Sequence, residues 1–529
     1  MGIPSYFSHI VKNHRNIIKK IKHNTEVHYF FLDSNSIVYD CLHKLNDMYD
    51  VSKHEEFESK LIAATLLKIE EYVRLLKPIN TVYISFDGVA PVAKLEQQRT
   101  RRHKSLLEYK LNKALQSDFK ESWDKISITP GTPFMQKLNK TLHERFTDSK
   151  YIISDSSEVG EGEHKIFDFI RRNHIEYRLA EKNMVVYGLD ADLIMLGINH
   201  LHISKNIYLF RETPEFIKSI DSSLAPNENY MIYLNEFSEG IAQHMKDNSH
   251  AADLHTDLIK DYMFLCFFLG NDFLPHFPAV NIRTLGIEIL MSAYKQILGS
   301  SKKTIVKNNK IQWNILSKIV TVLADNEEDN LLREHSLRDR LSRRSFPGNT
   351  YKEQMMKYNM IPLSNRTVEE YINPKKRGWQ KRYYKSLLHC DNNSHNIGKV
   401  CINYLEGIEW TFNYYSGNEI DWNWKYNYHY PPLLKDLVKY VPNWNYDILN
   451  IETPQNDINE YIQLAYVLPK EKLHYLPAKY HYALLKQLNH YYLETYDLSW
   501  AYCKYIWEAH PNLPNVDINC IKHLVSSIK

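Results

Sequence analysis

Runs of consecutive apolar residues alternate with stretches of helical periodicity from the start of the chain to about residue 290, the pattern of an α/β fold. The runs are VHYFFLD ending at Asp33, TVYISFD ending at Asp87, KYIISD near Asp155 and NMVVYGLDAD ending at Asp192. Each is rich in β-formers and stops at an acid. In open, mainly parallel sheets ligands bind beyond the carboxyl ends of the strands, so these acids are expected on one side of the sheet. Residues 97–125, QQRTRRHKSLLEYKLNKALQSDFKESWDK, contain no Gly or Pro and predict a long helix with a basic start, stopped by the TPGTP turn at 129–133. SSKKTIVKNNK and the acidic run DNEEDN at 325–330 punctuate a mostly helical connection. The organisation expected is an α/β core over 1–300, a helical linker over 301–350 and an aromatic-rich, mostly helical region over 351–529. An irregular stretch, DWNWKYNYHYPPLL, interrupts that last region at 421–434.

Composition narrows the class. With 529 residues, 43% hydrophobic and 24% charged, at mean hydropathy −0.48, the chain reads as globular and multidomain. No apolar run approaches the roughly 20 residues of a membrane span, so no membrane partner is expected. Lys and Arg (66) nearly balance Asp and Glu (63), so an anion site has to come from local clusters. Cys41, Cys266, Cys390, Cys401, Cys503 and Cys520 form no C-x-x-C pair, which argues against a zinc ribbon or disulfide framework and for a reducing compartment. The first residues hold no apolar signal core, and Tyr6 breaks the myristoylation pattern, so a cytoplasmic location is expected.

The acids supply the candidate chemistry. If the fourth run continues as a strand, Asp190 and Asp192 share one face, because side chains alternate with period two. Glu161 and Glu163 stand at a helix entrance, and Asp272 follows the apolar run YMFLCFFLG. A lone D-x-D is ordinarily a turn or cap and acids are common at helix starts, but seven acids at strand ends and turns exceed what caps require. Oxygen donors without clustered Cys or His select Mg²⁺ or Mn²⁺ over zinc, and two such ions suit phosphodiester displacement. His164 and His276 adjoin the acids and are assigned to packing and hydrogen bonding. Beside Asp87, residues Lys94, Gln98, Arg101 and Arg102 fall at i, i+4, i+7 and i+8, one face of a helix able to take a terminal phosphate.

The motifs MGIPSYF, FLDSNS, DGVAPVAKLEQQRTRR, SITPGTPF, GEGEHKI, YGLDADLIML and LGNDFLPH, in this order, resemble those of the XRN family of 5′→3′ exoribonucleases. The resemblance continues through YINPKKRGWQKRYYK, YLEGIEWTFNYYSG, WNWKYNYHYPPLLKDL, LAYVLPKEKLHYLP and HPNLPNVDI, nearly the whole chain. It implies a PIN/FEN-like α/β nuclease core joined to a mostly helical second conserved region, and processive hydrolysis of single-stranded, 5′-monophosphorylated RNA to nucleoside 5′-monophosphates. It makes Asp33, Asp87, Glu161, Glu163, Asp190, Asp192 and Asp272 the catalytic, metal-holding acids and Lys94, Gln98, Arg101 and Arg102 the 5′-phosphate pocket. Glu158 is left out, because EVGEGEH lacks the family's usual proline before the glycine. Tyr39 stands where the family usually has a base-stacking His, and Trp424 is preferred to Trp422 as its stacking partner. The chain stops soon after HPNLPNVDI, without the β-rich extension of the large cytoplasmic members, so partner docking and core rigidity are expected to differ. PKKR at 374–377 falls within a family-like motif and is read as structural or RNA-facing rather than a nuclear signal. A monomer is expected; the rival readings are a flap-type DNA nuclease and an inactive RNA-binding scaffold.

Overall fold

The computed structural model describes residues 2–21, 26–116, 118–246, 254–390 and 394–528. Its centre is a seven-stranded sheet built from β1 (Ile18–Lys20), β2 (Tyr29–Asp33), β3 (Thr81–Ser85), β4 (Tyr151–Ser154), β5 (Met184–Tyr187), β6 (Ile207–Glu212) and β7 (Asn229–Tyr233). The strand order is β1-β7-β6-β5-β2-β3-β4. Pairs β6/β5, β5/β2, β2/β3 and β3/β4 are parallel; β6/β7 and β7/β1 are antiparallel.

Both faces of the sheet are buried, which is why its strands read as unbroken apolar runs. Tyr29, Phe31, Tyr83, Met184 and Val186 point into one core, beneath α1 (Tyr6–Asn13), α6 (Gly162–Asn173), α7 (Asp192–Asn199) and α8 (Leu234–Met245). The alternate residues Phe30, Leu32, Val82, Ile84, Val185 and Tyr187 point into a second core, beneath α2 (Asn35–Leu45), α3 (His54–Leu76) and α5 (Pro133–Arg145). Register aligns the carboxyl ends: Asp33 lies opposite Ser85, which lies opposite Ser154, and Leu32 opposite Tyr187.

The predicted long helix is α4 (Val92–Leu115), which begins earlier and ends sooner than residues 97–125 suggested. Its capping residue is Pro91, and the chain turns extended at Gln116. Trp123 is buried against Phe57 and Phe134, so aromatic packing overrides the helix propensity of the segment before it. The expected turn follows, with Thr132 capping α5 and Pro133 at its first position.

Residues 301–350 hold a hairpin, Val306–Lys307 with Lys310–Ile311, and the helices Trp313–Asp325 and Glu327–Leu341. Trp313, Leu316, Ile319 and Leu331 join the core beneath α1 and α6, which also takes in Tyr404, Ile408, Trp410 and Tyr415 of the helix Ser394–Ser416. Glu327, from the acidic run, is buried and accepts hydrogen bonds from the amides of Leu434 (2.7 Å) and Lys435 (3.1 Å). A third core joins the start of α4 to residues 458–525. Among the described residues no helix is long and apolar enough to cross a membrane.

Candidate active site

Asp33 is the last residue of β2 and is buried. Asp87 comes two residues after β3 and is held on three sides. Its Oδ1 accepts from the Gly162 amide (2.8 Å), its Oδ2 from Asn35 Nδ2 (2.6 Å), and its own amide donates to Asn35 Oδ1 (3.1 Å). Glu161 caps α6 in an extended conformation and Glu163 lies in the first turn, as the sequence predicts. Gly162 between them lies close against Asp33 and Asp87: a Cβ there would stand 2.8 Å from Asp33 Oδ1 and 3.4 Å from Asp87 Oδ1, so any side chain would push on Asp33. Carboxylate oxygens of Asp33, Asp87 and Glu163 lie within 4.8 Å of one another, and ligand atoms of Glu161, Glu163 and His164 do likewise.

The expectation that Asp190 and Asp192 are strand neighbours is corrected. β5 stops at Tyr187, Asp190 lies in the turn, and Asp192 is the first residue of α7, its amide donating to Asp190 Oδ1 at 3.2 Å. The turn delivers Asp192 to the same end of the sheet by another route. Gly2, at φ 50°, lies against it so closely that a Cβ would fall 2.0 Å from Asp192 Oδ1. Asp272 comes soon after Gly270, at φ 82°, and lies within a turn in which Asn271 Oδ1 accepts from the amides of Phe273 and Leu274, both at 2.9 Å.

Lys94 is placed among the acids. Its ammonium pairs with Glu161 and donates to Asp272 Oδ2 at 2.7 Å, all three side chains nearly enclosed. Burial works against the charge of Asp272, yet Lys94 outweighs it and holds that carboxyl down at about 2. At the other acids burial and mutual repulsion outweigh what Lys94 supplies. Burial and the neighbouring Asp87 push Asp33 up to about 8; burial and Glu161 push Glu163 well above the ordinary range; burial raises Glu161 and Asp192. Buried carboxylates that repel one another, all hard oxygen donors, fit a divalent cation, whose charge would restore them to the ionised state.

The rest of the basic row lies on α4 as the spacing predicts. Gln98 and Arg102 are buried and Arg101 is half-buried. Arg102 donates to Thr129 Oγ1 at 2.7 Å, and burial together with Arg101 lowers its pKa to about 10. Among the described residues neither Gln98 Oε1 nor Arg102 Nε has a hydrogen-bond partner, so the row keeps polar capacity for a ligand.

The two candidate stacking residues differ in setting. Tyr39 is 37% exposed on α2. Trp424 is buried and stacked on Trp410 (centroids 5.4 Å apart), which stacks on Tyr414 (5.0 Å), which stacks on His164 (3.8 Å). Trp422 is half-buried, and its carbonyl accepts the amide that starts α4, Val92 N, at 2.9 Å. His276 is half-buried, and its Nε2, itself out of solvent, has no partner among the described residues.

Sequence reasoning did not single out Gly2, Asn35, Tyr414 and Tyr415. Tyr414 donates to Glu161 Oε1 at 2.7 Å and Tyr415 to Asp192 Oδ1 at 2.5 Å. Each sits in a stretch that carries the family resemblance, but nothing local marks a tyrosine in an apolar helix as facing a carboxylate more than 200 residues away.

The family model described as the XRN 5′-3′ exonuclease N-terminus matches residues 1–213, and that described as the Xrn1 helical domain matches residues 253–376 and 363–529. The chain is similar to 5′-3′ exoribonuclease 2 of Arabidopsis thaliana, at 24% identity over 92% of this chain and 61% of the relative. It is similar to 5′-3′ exoribonuclease 1 of Saccharomyces cerevisiae, at 26% over 91% of this chain and 40% of that protein. A 5′-3′ exoribonuclease 2 homolog of Drosophila melanogaster is 24% identical over 98% of this chain and 70% of the relative. The chain thus spans 61% and 40% of the length of the first two relatives. Since the two matches follow in order along the strand-and-helix organisation described above, and the second alone takes in more than half of the 529 residues, the chain belongs to the XRN family.

Proposed function

We propose that this chain is a divalent-metal-dependent, processive 5′→3′ exoribonuclease that degrades single-stranded, 5′-monophosphorylated RNA to nucleoside 5′-monophosphates. The observation that carries the reading is the meeting of two opposite clusters at one sheet edge. Acids gather beyond the parallel strands, the basic row of α4 lies beside them, and Lys94 belongs to both. Relatives named 5′-3′ exoribonuclease over nearly all of this chain support the same conclusion.

Asp33, Asp87, Glu161, Glu163, Asp190, Asp192 and Asp272 would hold two Mg²⁺ or Mn²⁺ ions. Bound there, the ions supply a water activated near neutral pH and neutralise charge on the phosphoryl oxygens. The protein's own part is orientation. Asn35 and the Gly162 amide hold Asp87 rigidly. Arg101, Arg102 and Gln98 take the terminal phosphate, whose charge compensates buried guanidinium groups. Lys94, paired with both Glu161 and Asp272, ties that pocket to the acids and sets the distance from terminal phosphate to scissile bond. Tyr39 and Trp424 stack the first base without regard to its identity, which suits stepping along any sequence. A monomer in the cytoplasm completes the proposal.

A time course on one RNA carrying a 5′-monophosphate, triphosphate or hydroxyl, beside a flap DNA substrate, tests it. Mononucleotides should appear from the monophosphate RNA first and vanish with excess chelator. Equal rates on the three RNA ends, or preferential cutting of the flap, would sink the assignment.

A further inference from the structure

Two phenols from the helical half of the chain reach the acids of the sheet. Tyr414 and Tyr415 are consecutive near the end of the helix Ser394–Ser416, so their side chains diverge by about 100° around its axis. They meet different partners accordingly: Tyr414 donates to Glu161 Oε1 at 2.7 Å and Tyr415 to Asp192 Oδ1 at 2.5 Å. Glu161 caps α6 and Asp192 opens α7, so one helix end spans two helix starts.

The hydroxyls are set by their rings. Tyr414 is held between Trp410 (5.0 Å, 25° between planes) and His164 (3.8 Å, 29°). Tyr415 lies against Phe267 (5.3 Å) and meets the edge of His164 (5.7 Å, 85°). Ring packing of this kind leaves little rotamer freedom, so each oxygen is a fixed point toward which a carboxylate orients. Phenylalanine would fill the same volume. The hydroxyl therefore adds nothing to the core, and its one specific effect is on the acid it touches.

We infer that Tyr414 and Tyr415 are positioning residues of the metal centre: each hydroxyl holds one oxygen of a ligating carboxylate and so fixes how that carboxylate is presented to a cation. For Asp192 the effect is direct, since Tyr415 and the close approach of Gly2 both bear on Oδ1. For Glu161 it is shared with Lys94, which pairs with Oε2 while Tyr414 takes Oε1. The helix Ser394–Ser416 then supplies no ligand, yet it governs the site's affinity for metal.

The inference rests on the metal-dependent reading above, and the test separates the two. Mn²⁺ is titrated into the full chain without RNA, free ion being followed by electron paramagnetic resonance. Turnover of monophosphate RNA is measured against Mg²⁺ concentration. In Tyr415→Phe the Mn²⁺ affinity should fall by about 10-fold or more, as is typical when a ligand loses the group that orients it. Turnover should fall in proportion and recover in part at high Mg²⁺, with the KM for RNA and the melting midpoint unchanged. Tyr414→Phe should act in the same direction through Glu161. In an Asp192→Ala background Tyr415→Phe should change nothing further, because its target is gone. Unaltered Mn²⁺ affinity in Tyr415→Phe, or the same loss on top of Asp192→Ala, overturns the inference while leaving the nuclease reading intact. Parent protein that neither binds Mn²⁺ nor degrades RNA overturns both.

Discussion

Replacing Lys94 by Gln isolates the charge that holds the acids together in metal-free protein. Lys94 is enclosed between Glu161 and Asp272, so its loss removes the ammonium that pairs with both buried carboxylates. For Asp272 alone, a carboxyl held at about 2 against an ordinary 3.8 corresponds to about 2.5 kcal/mol. Glu161 adds to this, and breaking buried pairs typically costs about 3 to 5 kcal/mol. The sign follows from the depressed pKa. The contribution of Asp272 is fully present above pH 3.8 and disappears as pH falls through about 2, so the deficit in Lys94→Gln should be full at neutral pH. Guanidinium unfolding at pH 7 with excess chelator should place the variant about 3 kcal/mol or more below the parent. Saturating Mg²⁺ should close most of that gap, because a bound cation replaces the missing ammonium. Equal midpoints in chelator, or a gap that Mg²⁺ leaves untouched, would mean that Lys94 does not balance the metal acids.

Proton release offers a second check: Asp33 is held at about 8 by burial and Asp87, so it is protonated at pH 7 and has to lose its proton to take a cation. Calorimetric Mn²⁺ titrations in buffers of different ionisation enthalpy should show release of about one proton or more at pH 7, fading above pH 8 as affinity rises; a buffer-independent heat at pH 7 would contradict the electrostatics. Gly2→Ala drives a methyl toward Asp192 Oδ1, 2.0 Å from the undisturbed position, and a shift of that carboxylate by about 1 Å should lower turnover by about 100-fold; wild-type rates would show that the site tolerates the displacement. Tyr39→Ala should shorten runs of degradation in single-round assays with competitor RNA while leaving the melting midpoint unchanged, since the ring is 37% exposed; unchanged run lengths would remove it from base handling.

The sheet was legible in the sequence because burial of both faces wrote each central strand as an apolar run, and the acids after those runs marked the functional edge. Asp33, Asp87, Glu161 and Glu163 do gather beyond the strands, while the local geometry of the later acids differs from the one read in the sequence. Asp190 and Asp192 reach the site through a turn and a helix start after β5 stops at Tyr187, a stop that apolar patterning alone does not reveal. Helical spacing likewise put Lys94 on the face of α4 that meets the acids, but it could not show that its ammonium turns to Glu161 and Asp272. The end of α4 was misjudged because Trp123 leaves the helix for a core contributed by other elements. Tyr414 and Tyr415 act across the whole fold, and that distance has no local signature.

The grip of the C-terminal residues on α4 bears on when the site comes into being. Arg99, inside the basic row, donates to the carbonyls of Pro514 (2.9 Å) and Tyr491 (3.3 Å), and the amide of Ala90 just before the helix donates to Gln463 (3.1 Å). With Tyr414 and Tyr415 on the acids, both halves of the centre wait for contacts made by residues synthesised long after Asp272. Chains emerge from the N-terminus onward, so the acids are made well before the residues that orient them. A ribosome-stalled chain ending short of Tyr414 should leave RNA intact, its own message included; robust degradation by such a chain would show that those contacts are dispensable. On this account the proposed nuclease would be harmless during its own synthesis, kept so by the distance along the chain between the acids and the residues that aim them.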